Sequence, residues 1–575
     1  MFKKTAFLII ALTMMFSTVL NMPFQVSFSN LSSAENLTSQ ETQVVALVNG
    51  TNAYKYDLEL ERIALNHSIS NYAFRSGGSA GATVTAMWIK EQFESFGLET
   101  QLESFQFANW NMPSQPMLTI DEDGDVNTVN DEVSVESFQS EHYSWPTKEG
   151  GVFADLAILP IPSSANYGRI GATPIDTTLW NTVDTHSKIV LIGREIRLNS
   201  VWQSTFINKL NKEPPAAVIF TWWNSWMRFV PPFFSSVGGR PTSDWGPYFW
   251  NLEIPVGWVN YEDGLWIRNR EADMNVSAKV TIPSVIDSGL HYNVVGRLQG
   301  KANSSRFVIV SGHYDTVMTS GFVDNGAGTS GVLELARVFA DAVRRGVYNP
   351  EYSVLFVAFA SEELGLVGAT HFVMQHKAEM KDIAAVINLD SIGSDNLSVA
   401  RTDPGGEFDL DELILKAASD LGISATKTEM GSSDQEVFRD PAGGENIYSY
   451  WWPGLNADIG DAVPIVSSTM LVSYPLFYSD KWNRGRPGWI HTSYDNSTST
   501  DTLSWLESNR LEQHIKVAAL SILRVLPSSQ GATNPSLFPW WTLGFAVVVV
   551  VAVVTVVYFV KVRKPPAKNM AQQTD

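Results

Sequence analysis

Short apolar runs that end abruptly in polar residues are the clearest pattern in this 575-residue chain. Residues 307–310, 354–359 and 384–389 are rich in Val, Ile and Phe, and helical patterns separate them. Such runs are typical of strands that are buried on both faces of a parallel sheet. The pattern therefore predicts an α/β fold, with a mixed, mostly parallel sheet flanked by helices.

Histidine and acidic side chains follow each of these runs. In chain order they are His313, Asp315, Glu362, Glu363 and Asp390. Because ligands of open α/β sheets bind at the carboxyl ends of the strands, we expect these side chains to meet at one edge of the sheet. Asp324, in the turn after the first run, brings one more carboxylate to this edge. A single polar strand end is usually structural, but the joint occurrence in this order predicts a metal site.

Other segments show the periodicity of helices. Residues 82–96 have one apolar side, and Gly97 stands where a helix C-cap is expected. Residues 328–345 and 408–421 are also amphipathic, and a long helix is predicted over 502–526. These helices are expected to cover the faces of the sheet.

A different composition begins near residue 109. Residues 110–140 are acidic and rich in Ser, and residues 151–280 carry several strand-like runs separated by turns. We therefore expect a separate, mostly-β domain over 135–285, inserted ahead of the metal-site sheet. Aromatic side chains cluster within it between Trp202 and Trp250. Such a cluster is either local core or an exposed surface that serves as a lid, substrate wall or membrane contact.

The two ends of the chain predict membrane targeting. Basic residues precede an apolar run at residues 5–20, so residues 1–34 are expected to be a signal peptide or an N-terminal anchor. Residues 539–560 are apolar over the ~20 residues that span a bilayer. The linker 528–538 precedes them, and the basic tail 561–575 suits the cytoplasmic side. We expect a single-pass protein of the cell membrane whose bulk faces the outside or a lumen.

The composition argues against nucleic acid as a partner and excludes cysteine chemistry. The formal net charge of −20 argues against nucleic acid as a partner, because phosphate binding needs basic patches. The chain has no cysteine, so disulfides, thiolate metal ligands and thiol catalysis are excluded. Sequons fit an outward-facing chain and occur at Asn30, Asn36, Asn49, Asn66, Asn275, Asn303, Asn396 and Asn496.

A set of short motifs resembles the di-zinc exopeptidases that include bacterial leucyl aminopeptidase, aminopeptidase Y and glutamate carboxypeptidase II. In chain order the motifs are RSGGSAG, NVVGRLQG, GHYDT, VDNGAG, SEELGLVGA, NLDSIG and IHTSYD. The resemblance implies the zinc exopeptidase fold, with 35–134 as the N-terminal part of the peptidase domain and 286–527 as its main part. Through GGVFADLAIL, SKIVLIGR and IPVGWV, the segment 135–285 resembles a protease-associated domain.

The resemblance implies two zinc ions per chain, with Co or Mn as alternative metals. His313, Asp324 and Asp390 would hold one ion, and Asp324, Glu363 and His491 the other. Asp324 would therefore bridge the pair. This mixture of imidazole and carboxylate ligands is that of hydrolytic zinc sites.

Further roles follow from the same resemblance. Glu362 would be the general base, which takes a proton from a metal-bridging water and returns it to the leaving amine. Asp315 would orient the imidazole of His313, and Asp495 would do the same near His491. Candidates for stabilising the oxyanion, which the sequence does not rank, are Tyr474, Tyr478 and Tyr494.

Two positions depart from the family pattern. Gln435 stands in GSSDQEVF where a histidine is common, which affects the expected substrate contacts rather than the metals. The Asp-Thr pair expected after His491 falls on Asp495 and Asn496, whereas a second Asp-Thr pair follows at 501–502. The sequence identifies no substrate-binding residue.

Three functions remain open on this evidence. The favoured one is a membrane-anchored, outward-facing metallopeptidase that removes N-terminal residues from peptides. A carboxypeptidase, a dipeptidase or a cyclase-like transferase would use the same fold with another reaction. A non-catalytic receptor or scaffold is the third, although the full set of ligands argues against it. The oligomeric state is not readable from the sequence.

Overall fold

The computed structural model describes much of the chain between residues 37 and 526. The described ranges are 37–68, 73–121, 132–160, 177–193, 200–221, 253–274, 276–301, 305–400, 407–428, 433–439, 464, 466–474, 495–498 and 506–526. The predicted segments 1–34 and 539–560 lie outside these ranges, as does the cluster of aromatic residues from 222 to 250. Within the described ranges, no helix combines the length and the apolar character needed to cross a membrane.

The main sheet has eight strands in the order β1-β10-β12-β11-β13-β16-β14-β15. Their bounds are β1 Glu99–Asn111, β10 Val285–Leu298, β11 Phe307–His313, β12 Ser353–Phe359, β13 Ile383–Leu389, β14 Asn396–Ala400, β15 Ala425–Thr428 and β16 Ser468–Tyr474. The central strands β12, β11, β13 and β16 run parallel to one another, whereas β1, β10 and β14 introduce antiparallel pairs. The predicted mixed α/β sheet is confirmed.

Helices cover both faces of this sheet. Within the described ranges the helices of the whole chain are α1 Ser39–Val45, α2 Gly50–Asn66, α3 Ala80–Phe96, α4 Ser200–Lys212, α5 Tyr261–Met274, α6 Gly328–Arg344, α7 Val367–Gln375, α8 Leu410–Asp420, α9 Glu436–Arg439 and α10 Ser508–Val525. Of these, α4 and α5 lie between β1 and β10 in the chain and do not belong to the main sheet. The predicted start and stop signals act as expected at α3, where the Ser79 hydroxyl accepts from the Ala82 N–H and Gly97 adopts a left-handed φ of 89°.

The core explains why the three central strands are continuously apolar. Every residue of β11, β12 and β13 is buried. Val308 and Val310 of β11 pack in a cluster with α3, α6 and α10 on one face. Phe307 and Ile309 pack with α7 on the opposite face. Successive side chains point to opposite faces, so a strand buried on both sides must be apolar throughout.

A second sheet of eight strands lies between β1 and β10 in the chain, in the order β3-β2-β9-β5-β6-β7-β8-β4. The bounds are β2 Met117–Asp121, β3 Glu132–Ser134, β4 Gln139–Ser140, β5 Val152–Ile158, β6 Ile189–Gly193, β7 Ala217–Thr221, β8 Val256–Val259 and β9 Ser277–Thr281. Strands β5 to β8 are parallel, and helices α4 and α5 lie in the same stretch of chain. The segment is therefore less purely β than expected, and its domain boundaries stay a prediction.

Candidate metal centre

The parallel strands deliver the predicted side chains to one edge of the main sheet. β11 ends at His313, β12 ends three residues before Glu362, and β13 ends one residue before Asp390. The chain turns sharply at two of these ends, where Ser361 and Ser391 have φ values of 60° and 52°. Ser361 directly precedes Glu362 and Ser391 directly follows Asp390, so each of these carboxylates lies beside a sharp turn.

Three of the predicted ligands lie together. His313, Asp324 and Asp390 each offer one ligand atom, and these atoms lie within 4.8 Å of one another. The His313 Nε2 is 3.4 Å from the Asp324 Oδ1 and 3.7 Å from the Asp390 Oδ2. Glu362, the predicted base, places its Oε2 at 3.9 Å from the same nitrogen. Glu363 is buried after Glu362 in the same turn.

Asp315 has a broader role than the one predicted. The Nδ1 of His313 lies 3.1 Å from the backbone carbonyl oxygen of Asp315 and 3.6 Å from its carboxylate. The carboxylate instead accepts hydrogen bonds from the backbone N–H of Glu362 at 2.9 Å and of Glu363 at 3.3 Å. Asp315 therefore fixes the turn that carries both glutamates, while its carbonyl orients the imidazole.

The Asp324 turn, residues 320–327, is held from two sides. Asp495 accepts from the backbone N–H of Val323 at 2.6 Å and of Asp324 at 3.2 Å. Asn325 donates to the Leu389 carbonyl at 2.9 Å and accepts from the N–H groups of Gly328 at 2.9 Å and Ser391 at 3.0 Å. Asn325 thereby joins the turn of Asp324 to the strand end that precedes Asp390.

Several predicted positions lie outside the described residues. These are His491, Tyr478, Tyr494 and the side chain of Tyr474. Asp495, predicted beside His491, contacts the Asp324 turn instead of any described histidine. Gln435, at the position where a histidine was expected, is buried and accepts from the Asn388 side chain at 3.2 Å.

The centre gathers several acidic side chains around one imidazole. Burial raises the pKa of Glu362 well above its usual range, and repulsion by Glu363, Asp390 and Asp434 adds to this, although His313 opposes it. Burial alone would lower the pKa of His313, but Glu362 and the other nearby carboxylates outweigh it and raise this pKa well above the usual value. So many carboxylates around one buried imidazole are costly unless a cation or bound protons compensate.

Asp434 belongs to this group of acidic side chains; it lies in the segment GSSDQEVF, in which the sequence drew attention only to Gln435. Its side chain is buried, and neither carboxylate oxygen has a hydrogen-bond partner within the part of the chain that the structure describes. Burial raises the pKa of Asp434 well above its usual range, while His313 lowers it and Asp315 and Asp390 raise it further. A buried, unpaired carboxyl at this place fits a site built to receive a cation.

A parallel sheet whose strand ends gather imidazole and carboxylates in this way is typical of hydrolytic metal sites. Residues 293–515 match the model of peptidase family M28. This match agrees with the family resemblance predicted from the motifs.

Named relatives agree with this assignment. Aminopeptidase YwaD of Bacillus subtilis (strain 168) is 26% identical over 388 residues, which cover 66% of this chain and 72% of the relative. A probable zinc metalloprotease of Pyrenophora teres f. teres is 36% identical over 120 residues, 19% of this chain. The match spans only 24% of that fungal protein's length.

Solved structures confirm the fold. BSAP, a zinc aminopeptidase from Bacillus subtilis, aligns with a TM-score of 0.57 at 21% identity, over 84% of this chain and 97% of BSAP. An aminopeptidase from Aneurinibacillus sp. strain AM-1 aligns with a TM-score of 0.54 at 19% identity, over 85% and 96% of the two chains.

Proposed function

We propose that this chain is a membrane-anchored, outward-facing zinc aminopeptidase that removes N-terminal residues from peptides. The observation that carries the proposal is the cluster of His313, Asp324 and Asp390 at the sheet edge, with Glu362 beside it. A nucleophilic side chain is not required, because a water activated at such a site can attack the peptide carbonyl.

The residues present fit zinc. The cluster offers one imidazole nitrogen and two carboxylates, which are ordinary zinc ligands, and the buried Asp434 carboxyl has no hydrogen-bond partner among the described residues. Asp324 would bridge two ions, with His313 and Asp390 on one and with Glu363 and His491 on the other. Zinc bound there would lower the pKa of water and polarise the scissile carbonyl. Co or Mn would suit the same ligands.

Glu362 would act as the general base and acid. Its carboxylate is placed beside His313 without being one of the three clustered ligand groups, and its turn is fixed by the Asp315 carboxylate. Burial raises its pKa, which brings this carboxyl closer to the pH at which it would both accept and return a proton. Glu362 would take the proton of the attacking water and deliver it to the leaving amine.

The relatives favour an aminopeptidase over a carboxypeptidase, since YwaD and BSAP are described as aminopeptidases. The carboxylates near Glu362, which are Glu363, Asp390 and Asp434, do not decide this choice, because bound metal ions would offset their charge.

The remaining parts of the proposal rest on the sequence. The apolar segment 539–560 and the basic tail after it support a single membrane anchor with the sheets outside the cell or in a lumen. The motifs in residues 135–285, together with the parallel strands β5 to β8, support a protease-associated domain that shapes access to the centre.

The test pairs two measurements on the purified protein: zinc per chain, and hydrolysis of aminoacyl amides, N-blocked dipeptides and peptides with a free C-terminus. About two zinc ions, with cleavage only when the N-terminus is free, is the expected result. Cleavage of N-blocked peptides would establish a carboxypeptidase instead. Absence of both zinc and cleavage would favour a receptor or scaffold.

A further inference from the structure

We propose that Arg75 and Asp495 are positioning residues, which together clamp the Asp324 turn in the shape that metal binding requires. The inference rests on the proposed function of the centre, because it assigns a role in building that same site. Neither residue belongs to the His313, Asp324 and Asp390 cluster, so both would act through the backbone of the turn.

Arg75 holds the first half of the turn. Its side chain is fully buried, and it donates to three backbone carbonyls: Nε to Tyr314 at 2.8 Å, Nη1 to Ser320 at 2.5 Å and Nη2 to Gly321 at 2.7 Å. The rigid fork of a guanidinium can reach carbonyls on both sides of one loop at the same time. Arg75 therefore closes the loop between His313 and the turn that carries Asp324.

Asp495 holds the second half. Its carboxylate accepts from the N–H groups of Val323 and Asp324, as described above. Its own backbone carbonyl accepts from the Ser320 hydroxyl at 2.5 Å and from the Phe322 N–H at 3.4 Å. Two carbonyls of this stretch, those of Ser320 and Gly321, thus bind Arg75. Three of its N–H groups, from residue 322 to residue 324, bind Asp495.

Helix α2 supplies the charges that accompany this clamp. Asp57 is fully buried, and its Oδ1 lies where a Cβ on Gly326 would come within 2.1 Å of it. Glu61 accepts from the Ser320 hydroxyl at 3.2 Å and from the Ser497 N–H at 2.8 Å. The positive charge of Arg75 is therefore surrounded by carboxylates from α2 and from the segment after His491.

The clamp acts on the turn rather than on the sheet. The strands on either side, β11 and β13, are held by their own ladder of backbone hydrogen bonds and by apolar packing. Loss of Arg75 or Asp495 leaves these in place but frees the backbone that aims the Asp324 carboxylate. Residues that orient metal ligands in this indirect way typically change metal affinity by about 10- to 100-fold.

The experiment compares Arg75→Lys and Asp495→Asn with the unaltered full-length protein. Lysine keeps the charge but cannot reach three carbonyls, and asparagine keeps the shape but replaces one acceptor by a donor. Arg62→Met is the matched control, because Arg62 is an exposed arginine paired with Glu59 on the same helix α2. Zinc affinity is measured by competition with a chelator, and the Co²⁺-loaded proteins are compared by their absorption spectra.

Both clamp variants should bind zinc at least about tenfold more weakly and show an altered Co²⁺ spectrum, whereas Arg62→Met should match the unaltered protein. Amide hydrogen exchange of residues 314–328 in the metal-free proteins should accelerate in the clamp variants alone. Unchanged exchange in folded variants would overturn the clamp. Faster exchange in a chain that binds no zinc even when unaltered would refute the proposed function and leave the clamp standing.

If Arg75→Lys does not fold, Asp495→Asn decides the matter. It replaces the carboxylate by an amide of the same shape, and it alters only the side of the turn that carries Asp324 itself. Wild-type zinc affinity and an unchanged Co²⁺ spectrum in that variant would contradict a positioning role.

Discussion

Replacement of Asn325 by alanine tests how the centre is assembled. Asn325 is fully buried and lies next to Asp324 in the chain. Its amide group donates to the Leu389 carbonyl, and its oxygen accepts from the N–H groups of Gly328 and Ser391. These three hydrogen bonds tie the Asp324 turn to the start of α6 and to the end of β13, where Asp390 follows.

The expected cost comes from these three bonds. Each hydrogen bond contributes roughly 0.5–1.5 kcal/mol net, and a buried group that loses its partner costs about 1–3 kcal/mol. Alanine leaves the Ser391 N–H and the Leu389 carbonyl without the partner that Asn325 provides, whereas the Gly328 N–H keeps a bond to the backbone carbonyl of residue 325. We therefore expect Asn325→Ala to lower the free energy of unfolding by about 3 kcal/mol, with weaker zinc binding as a second effect.

Urea unfolding of the metal-free protein measures this directly. The midpoint should fall while the slope with denaturant stays unchanged. Asn396→Ala is the matched control, because Asn396 is exposed at the start of β14 and its truncation should change the midpoint little. A loss below about 1 kcal/mol in Asn325→Ala would show that the bonds contribute nothing beyond what water supplies, and the reasoning would fail.

Three other predictions concern separate parts of the molecule. Glu362→Gln should lower turnover by at least about 10²-fold with zinc content unchanged, and loss of zinc would contradict its role as base. Hydrogen bonding to Glu103 raises the pKa of His376, so the pair should stabilise the fold at pH 5.5 and lose this effect as the pH rises through that raised pKa. His376→Gln should remove roughly 0.5–1 kcal/mol in urea unfolding at pH 5.5 and little at pH 9, since the pair is partly exposed; an equal loss at both pH values would contradict this. Phe339→Ala should cost about 3–5 kcal/mol in the same assay, because the ring is fully buried against Tyr348 and Phe356; a loss under 1 kcal/mol would show that the site collapses without a cavity.

The central strands and the clustered ligands were predictable because their signals are local. A strand buried on both faces must be apolar at every position, and a catalytic edge must be polar where the strand ends. The apolar run and the polar residues that follow it lie within a few residues of one another at His313, Glu362 and Asp390. Their order along the chain then places them at the same edge of the sheet.

The supporting contacts were not predictable, because they join distant parts of the chain. Arg75 lies more than two hundred residues from the carbonyls it binds, and only its place in a Gly-rich motif could have drawn attention to it. Asp495 was predicted beside His491, which lies outside the described residues, and that prediction stays open; the bonds of Asp495 to the amides of the Asp324 turn were not predicted. Backbone hydrogen bonds depend on chain geometry and leave little trace in the residue types of the partners.

The second sheet shows a further limit of secondary-structure prediction from sequence patterns. Its strand-like runs were recognised, but parallel neighbours cannot be joined by tight turns and require crossover segments. Helices α4 and α5 lie in that stretch of chain, where the sequence had suggested turns. We expected a mostly-β domain because the strands are evident in the sequence, whereas their parallel direction, which requires crossover segments, is not.

The residues that hold the Asp324 turn come from two separate parts of the chain. The segment 293–515 that matches the family contains the described ligands, Glu362 and Asp495, but not Arg75 or helix α2. The carbonyls that Arg75 binds would be left without these donors in a fragment that begins at residue 293. Such a fragment would keep the parallel strands and lose the contacts that fix the Asp324 turn. We therefore expect the candidate metal centre to need the N-terminal segment, although this segment contributes no ligand to the described cluster.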